Sequence, residues 1–173
     1  MSELSVWFER KFKFEFPVEL YPNLCMRLRG TPARLEELVR DLATEQLVRQ
    51  LDGKWSMQEN AGHLLDLEAL WLARLDDYRT GAETLASADL TNRKTFEACY
   101  NQRPLAEILA AFRRARADTM ERLESFPAPL FARTALHPRL KTPMRLVDLL
   151  YFVAEHDDHH LAHIWELRRR LAA

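Results

Sequence analysis

The sequence predicts an all-α fold: a four-helix bundle with an N-terminal extended arm and a long connection between the second and third helices. Three observations predict it. Four of the 173 residues are glycine, strictly alternating apolar runs are scarce, and four long segments repeat their apolar residues at the helical period. Helices with one apolar stripe each find their partner surface in one another, which makes a bundle. A single domain is expected over residues 1–173, a length that can enclose one sizeable core.

The elements follow in order. The arm, residues 1–30, contains Phe12-Lys13-Phe14-Glu15-Phe16, a period-two alternation that fits an extended segment with one apolar face. A lone strand forms no sheet, so the arm is expected either to lie across the bundle or to pair with a second subunit, and a homodimer is one expectation. The first helix is expected from Thr31-Pro32, a capping residue followed by proline at the first helical position, to about residue 50, with a break near Ala43-Thr44. The second opens on Ser56-Met57-Gln58-Glu59, an S-x-x-E capping box, and ends near Thr80-Gly81. The connection 82–103, with ADLTNRKTFEACYNQR, is long for a bundle, and long loops in compact domains are often functional. The third helix is expected from Pro104 to just before Pro127. The segment 127–142, PAPLFARTALHPRLKT, is punctuated by proline, and the fourth helix is expected from Thr142-Pro143 almost to the C-terminus.

Charge and composition exclude several classes. Lys and Arg number 25 against 26 Asp and Glu, a formal charge of −1. Proteins that hold phosphate backbones carry a basic excess, so nucleic acid is not an expected partner. The clusters RRAR at 113–116 and RRR at 168–170 read as solvated helix faces. No stretch has the ~18 apolar residues of a membrane span. The charged start MSELSVWFERKFKFEF lacks the apolar run of a signal peptide. Cys25 and Cys99 have neither disulfide-framework nor thiolate-metal spacing. A cytoplasmic location is therefore expected.

Residues 155–167, EHDDHHLAHIWEL, hold His156, His159, His160 and His163, four of the six histidines. With His156 at zero on a helical wheel, Leu146, Leu149, Leu150, Val153, Ile164, Leu167 and Leu171 fall between about 20° and 120°. His160 falls on that stripe at about 40°, His156 sits at its edge, and His159 points outward at about −60°. An i, i+4 pair of inward histidines has the geometry that chelates a divalent metal. HxxxH also occurs by chance, and two imidazoles leave a metal's shell short. A third is available in His63 of WSMQENAGHLLDLE, at the edge of a buried face made by Met57, Leu64, Leu67, Trp71 and Leu75. Taken singly, each is explained as a core histidine satisfied by hydrogen bonds; the inward pair would then need a partner for every ring nitrogen. His137, in LHPRLK, is expected to face solvent. No residue is singled out as catalytic.

With those residues assembled, the sequence resembles the DinB-like (DinB/YfiT) superfamily of metal-binding four-helix bundles. The resemblance is most specific in KWSMQENAGHLLDLE at 54–68 and AEHDDHHLAHI at 154–164. It implies a divalent metal, nickel or zinc, held by His63, His156 and His160, with His159 as the extra neighbour; imidazole alone does not choose the metal. Glu59, Asp66, Asp157 and His159 are candidate supporting groups, able to orient a ligand ring through its second N–H. Glu59 is equally explained by the capping box, and Asp66 as a solvated residue. The resemblance further implies a thiol S-transferase that joins small electrophiles to a low-molecular-weight thiol such as bacillithiol or mycothiol. A metal-dependent hydrolase and a non-catalytic, stress-associated metal-binding domain are the alternatives. Asn92, Arg93 and Lys94 either meet an anionic thiol or form a solvated, capped loop. An enzyme needs an open coordination position, so a fourth ligand from Glu59, Asp66 or Asp157 would reverse the enzymatic reading.

Overall fold

The computed structural model describes residues 4–172 of the chain, so the first three residues of the expected arm and residue 173 of the expected domain lie outside the described residues. Its frame is a four-helix bundle. The rods are a bent pair, α1 (Tyr21–Arg29) and α2 (Thr31–Val39), then α4 (Met57–Thr80), α6 (Leu105–Glu124) and α7 (Leu146–Ala172). Two short helices, α3 (Thr44–Leu47) and α5 (Arg93–Glu97), lie in the connections. Helix α4 packs on α6 and α7, and the bent rod packs on the same two from the other side.

Helix α4 is bounded by the signals its sequence carries. The Ser56 hydroxyl accepts from the Glu59 N–H at 3.1 Å and the Ser56 N–H donates to Glu59 Oε2 at 2.7 Å. Gly81 closes the far end in the left-handed region, at φ 79°. Pro104 stands as the N-cap of α6.

The first rod departs from expectation. It begins at Tyr21 rather than Thr31, and the extended part of the arm stops at Pro17, before a 3₁₀ turn over Val18–Leu20. Pro32 sits at a bend inside the rod. Having no N–H, it leaves the Leu28 carbonyl, four residues back, without its helical donor. Arg116 of α6 supplies one: its Nη1 donates to Leu28 O at 2.9 Å. The rod ends at Val39 and Asp41 takes φ 61°, so the break before Thr44 is present and continuity to residue 50 is not.

The fourth helix begins at Leu146, not Thr142. Residues Thr142–Arg145 form strand β2, antiparallel to β1 (Thr134–His137), with Leu136 opposite Pro143. In a two-stranded hairpin every strand is an edge, where proline's missing donor is tolerated, so Thr-Pro here opens a strand. The helix start is marked instead by Arg145 N–H donating to Asp148 Oδ2 at 2.8 Å. A parallel bridge between Thr84 and Leu136 ties the 82–103 connection to this hairpin.

The arm lies across the bundle. Trp7 and Phe12 set their rings 5.2 and 5.1 Å from Phe152, and Phe16 lies 5.3 Å from Tyr151. Arg10 and Arg27 both pair with Glu155, and Arg27 and Arg34 with Asp158, fastening arm and first rod to α7. One apolar core gathers Trp71, Leu75, Met120, Leu123, Leu149 and Leu150. A second gathers Leu35, Met57, Leu64, Ile108, Phe112 and Ile164 at the other end. Buried polar groups lie at mid-height, among them Arg116, Glu68, Asp157 and three histidines. Among the described residues, no helix is long and apolar enough to cross a membrane.

Candidate metal centre

Helices α4 and α7 run antiparallel and face each other, bringing His63 of α4 against His156 and His160 of α7. Spacing of four residues sets the α7 pair one above the other. Ring centroids lie 5.4 Å apart for His63 and His156, 4.7 Å for His63 and His160, and 4.6 Å for His156 and His160. All three are buried. One nitrogen from each ring lies within 4.8 Å of the other two.

Hydrogen bonds on the outer nitrogens assign two tautomers. Asn60 Nδ2 donates to Trp55 O and Ser56 O, so Asn60 Oδ1 is an acceptor; His160 Nδ1 lies 2.8 Å from it and carries the proton. Thr95 Oγ1 donates to Asp66 Oδ2 at 2.9 Å, which leaves it to accept from His63 Nδ1–H at 3.0 Å. Both rings therefore turn Nε2 lone pairs inward. His156 Nε2 lies 3.2 Å from His160 Nε2, while His156 Nδ1 is buried with no partner among the described residues. Either tautomer of His156 thus leaves a buried polar atom unsatisfied. A divalent cation accepted by the three inner nitrogens relieves the crowding of lone pairs; neighbouring ligand nitrogens around a tetrahedral zinc lie about 3.3 Å apart. The donor set fits a divalent transition metal.

Electrostatics agree with that donor set. Burial pulls His63 down to about 4, against a smaller upward pull from Asp66. Burial, and then the neighbouring histidines, hold His156 and His160 well below the usual imidazole range. All three rings are neutral at pH 7, the state in which imidazole is a ligand.

The candidate supporting groups divide. Asp66 acts on His63 through Thr95 and is itself fixed by the Tyr100 hydroxyl at 2.7 Å and Lys94 Nζ at 3.3 Å. Tyr100 approaches that closely because residue 62 is glycine: a Cβ there would fall 2.2 Å from its ring. Glu59 is not at the rings; its carboxylate holds the α4 cap and accepts from Gln50 at 2.8 Å. Asp157 faces away from them too, bonded to Arg116 and Thr31, each at 2.7 Å. His159, half-buried, lies 5.6 Å from Trp7 and 5.2 Å from His160 by ring centroids.

A cavity of about 550 Å³ opens beside the rings, walled by Trp55, Leu67, Trp71, Phe96 and Phe152. Trp7 of the arm closes on it, 4.9 Å from His156. His137, expected at the surface, is 2 % exposed and lines the same cavity with Arg74 and Arg139. The expectation rested on its proline- and arginine-flanked loop; the hairpin folds that loop inward. Thr95, Arg74 and Arg139 carry no motif that marks them in the sequence. Asn92 also lines the cavity, while Asp89 caps α5 by accepting from the Arg93 N–H at 3.0 Å.

Comparison with known proteins agrees with this architecture. The structure is similar to YfiT from Bacillus subtilis, described as a probable metal-dependent hydrolase with an unusual four-helix bundle topology. The TM-score is 0.82 at 23% identity, covering 95% of this chain and 94% of that one. It is also similar to a mycothiol-dependent maleylpyruvate isomerase, at TM-score 0.66 and 11% identity, covering 86% of this chain but 60% of the isomerase. No curated protein sequence matches the chain. The sequence model of the DinB superfamily matches residues 27–164, which carry all three rings and their partners, and the chain belongs to that superfamily.

Proposed function

We propose that His63, His156 and His160 hold one divalent metal, nickel or zinc, and that the chain is a cytoplasmic single-domain enzyme. Its reaction joins a small electrophile to a low-molecular-weight thiol in the adjoining cavity. The observation that carries this reading is the focus of three neutral imidazoles, their ligand nitrogens within 4.8 Å of one another, on the wall of a cavity large enough for a small organic molecule. A bound metal supplies a Lewis-acid position at which a thiol or a water loses its proton near neutral pH.

The chain's own residues do the rest. Thr95 and Asn60 fix the rings of His63 and His160 so that each presents Nε2. The carboxylates named as possible fourth ligands are engaged elsewhere: Asp66 with Thr95 and Tyr100, Glu59 with the helix cap, Asp157 with Arg116. That supports an open coordination position over a closed structural site. Trp7, Trp55 and Trp71 line the cavity and keep water off its apolar wall.

Hydrolysis is the second reading, favoured by the extent of the likeness to YfiT, which spans 95% of the chain. The test is metal analysis of untagged protein before and after chelation, followed by paired assays on the metal-loaded form. One assay follows thiol consumption with a chromogenic aryl halide; the other follows hydrolysis of activated esters and amides. Stoichiometric metal with thiol-dependent turnover is expected. Hydrolysis without thiol dependence would select the second reading, and a protein that takes up no divalent metal would overturn both.

A further inference from the structure

One corner of the cavity gathers positive charge with no acid in ion-pair contact with it, Asp77 acting on Arg74 only from beyond that distance. Arg74, on α4, is 2 % exposed, and among the described residues no carboxylate oxygen lies within salt-bridge distance of it. Its Nε donates to Ala86 O at 2.9 Å and its guanidinium lies 5.4 Å from the centre of the Trp71 ring. Its Nη1 faces His137 Nε2 at 3.3 Å. His137 Nδ1 accepts from the Leu140 N–H at 3.2 Å, so the ring proton sits on Nε2 and two donors face each other. Arg139, at the hairpin turn, lies over Phe8 and Phe152, and its Nη2 is buried with no partner among the described residues. Burial pulls Arg74 down to about 10, against upward pulls from Tyr78 and Asp77 and with the Arg139 charge adding to the fall, so it remains a cation at neutral pH; burial lowers Arg139 as well.

Contrast Arg116, equally buried in the same bundle. Its N–H groups are all taken, by Glu68, Asp157 and Leu28 O. The fold supplies carboxylates to the buried Arg116 guanidinium, and to Arg74 it supplies a backbone carbonyl and an imidazole but no carboxylate in contact. A buried cation without a counter-charge is costly unless something it binds supplies one. The acid on the cavity wall, Asp89, is occupied by Thr91 and the backbone of α5.

We propose that Arg74, Arg139 and the His137 Nε2–H form an oxyanion-binding corner that selects substrates bearing a carboxylate on a partly apolar body. Arginine's planar fork suits a carboxylate, and the aromatic wall suits the body. Assigning the bound anion to the substrate rests on the functional reading above; the binding of the anion does not.

The test is calorimetric titration of the full chain, with and without metal, using phenylacetate and its neutral isostere phenylacetamide. Wild type is expected to prefer the acid by about tenfold or more. Arg74→Met and Arg139→Met are expected to bring that preference close to unity while retaining metal. Arg74→Met is also expected to melt no lower than wild type, since it removes an uncompensated charge; Arg139→Met, at a hairpin turn, stands in if Arg74→Met fails to fold. Equal affinity for acid and amide in wild type, or an acid preference that survives in both variants, would overturn the proposal. Metal content of the same samples separates the two readings. Full metal with no acid preference refutes the corner alone. Acid preference in a protein that never takes up metal supports the corner and refutes the metal centre.

Discussion

Thr95→Val isolates the contribution of one hydroxyl to the three-histidine focus. Valine keeps the size of threonine and removes both of its hydrogen bonds: the one received from His63 Nδ1–H at 3.0 Å and the one given to Asp66 Oδ2 at 2.9 Å. Threonine 95 is 4 % exposed and Asp66 8 %, so water does not simply replace what is lost. Leaving buried partners unsatisfied costs roughly 1–3 kcal/mol, which for a chain of this size lowers the melting temperature by roughly 2–12 °C. The ring of His63 is then free to turn and to exchange tautomers, and loss of such an orienting group typically weakens metal binding about 10–100-fold. Affinity is measured by competing metal-free protein against a chromophoric chelator, and stability by thermal denaturation in EDTA. Thr95→Ser, which keeps the hydroxyl, is expected to restore metal affinity. If Thr95→Val melts lower yet holds metal within about twofold of wild type, the chain from Asp66 to His63 is a core hydrogen bond and nothing more.

Further outcomes follow from the same geometry. Asn60→Leu removes the acceptor that fixes His160 Nδ1–H and is expected to weaken metal binding about 10–100-fold in the same titration. Gly62→Ala places a Cβ 2.2 Å from the Tyr100 ring and is expected to cost about 1–3 kcal/mol by thermal or urea unfolding, with Tyr100 pushed off Asp66. Arg116→Met leaves Glu68 and Asp157 as buried acids without their cation and is expected to cost about 3–5 kcal/mol in urea unfolding; a neutral result would mean that water reaches that layer. In metal-free protein, His63 and His137 sit near 4 when folded and near 6.5 when unfolded. The unfolded state therefore binds more protons between those values, so stability is full above pH 6.5 and falls as the pH drops towards 4. A stability-against-pH profile that stays flat across that window would mean the two rings are not buried as described.

Much of the frame was legible because helix signals are local. The Ser56–Glu59 box, Gly81 and Pro104 each act on neighbours in the chain and mark α4 and α6 without reference to anything distant. The misplaced boundaries share one cause. Thr31-Pro32 and Thr142-Pro143 carry the same local signal, yet the first lies inside a bent rod and the second opens a strand. What decides each case comes from elsewhere: a guanidinium on α6 that takes up Leu28 O, and a facing strand that pairs with Pro143. His63, His156 and His160 were legible in part for the same reason the helices were. The inward position of His156 and His160, and of His63 at the edge of its stripe, follows from period; that the three form one set was implied by the family resemblance. Thr95 and Arg139 were not legible, because α5 and the hairpin reach the cavity through contacts no spacing encodes, and Arg74 of α4 was not, because its partners Ala86 and His137 come from those distant segments. Trp7, Phe12 and Phe16 of the aromatic arm are engaged on the chain's own α7, one of the placements its alternation allows, while Val6 and Phe8 remain exposed.

Arg116 adds a constraint to the way the two α7 histidines face α4. It stands on α6, contributes no group to the rings, and binds Glu68 of α4 and Asp157 of α7 with the same guanidinium. Asp157 is the residue after His156, about 100° further round the helix. With its carboxylate fixed between Arg116 and Thr31, α7 is held in the rotation that sets His156 against His63. Turning the helix by a single position would withdraw His156 from His63 and strand a carboxylate that is 0 % exposed, at a cost of several kcal/mol. Such a buried ion network adds little net stability compared with apolar packing of the same volume. Its effect is on geometry: it sets the register of the two helices that carry the histidines, one layer away from the chemistry.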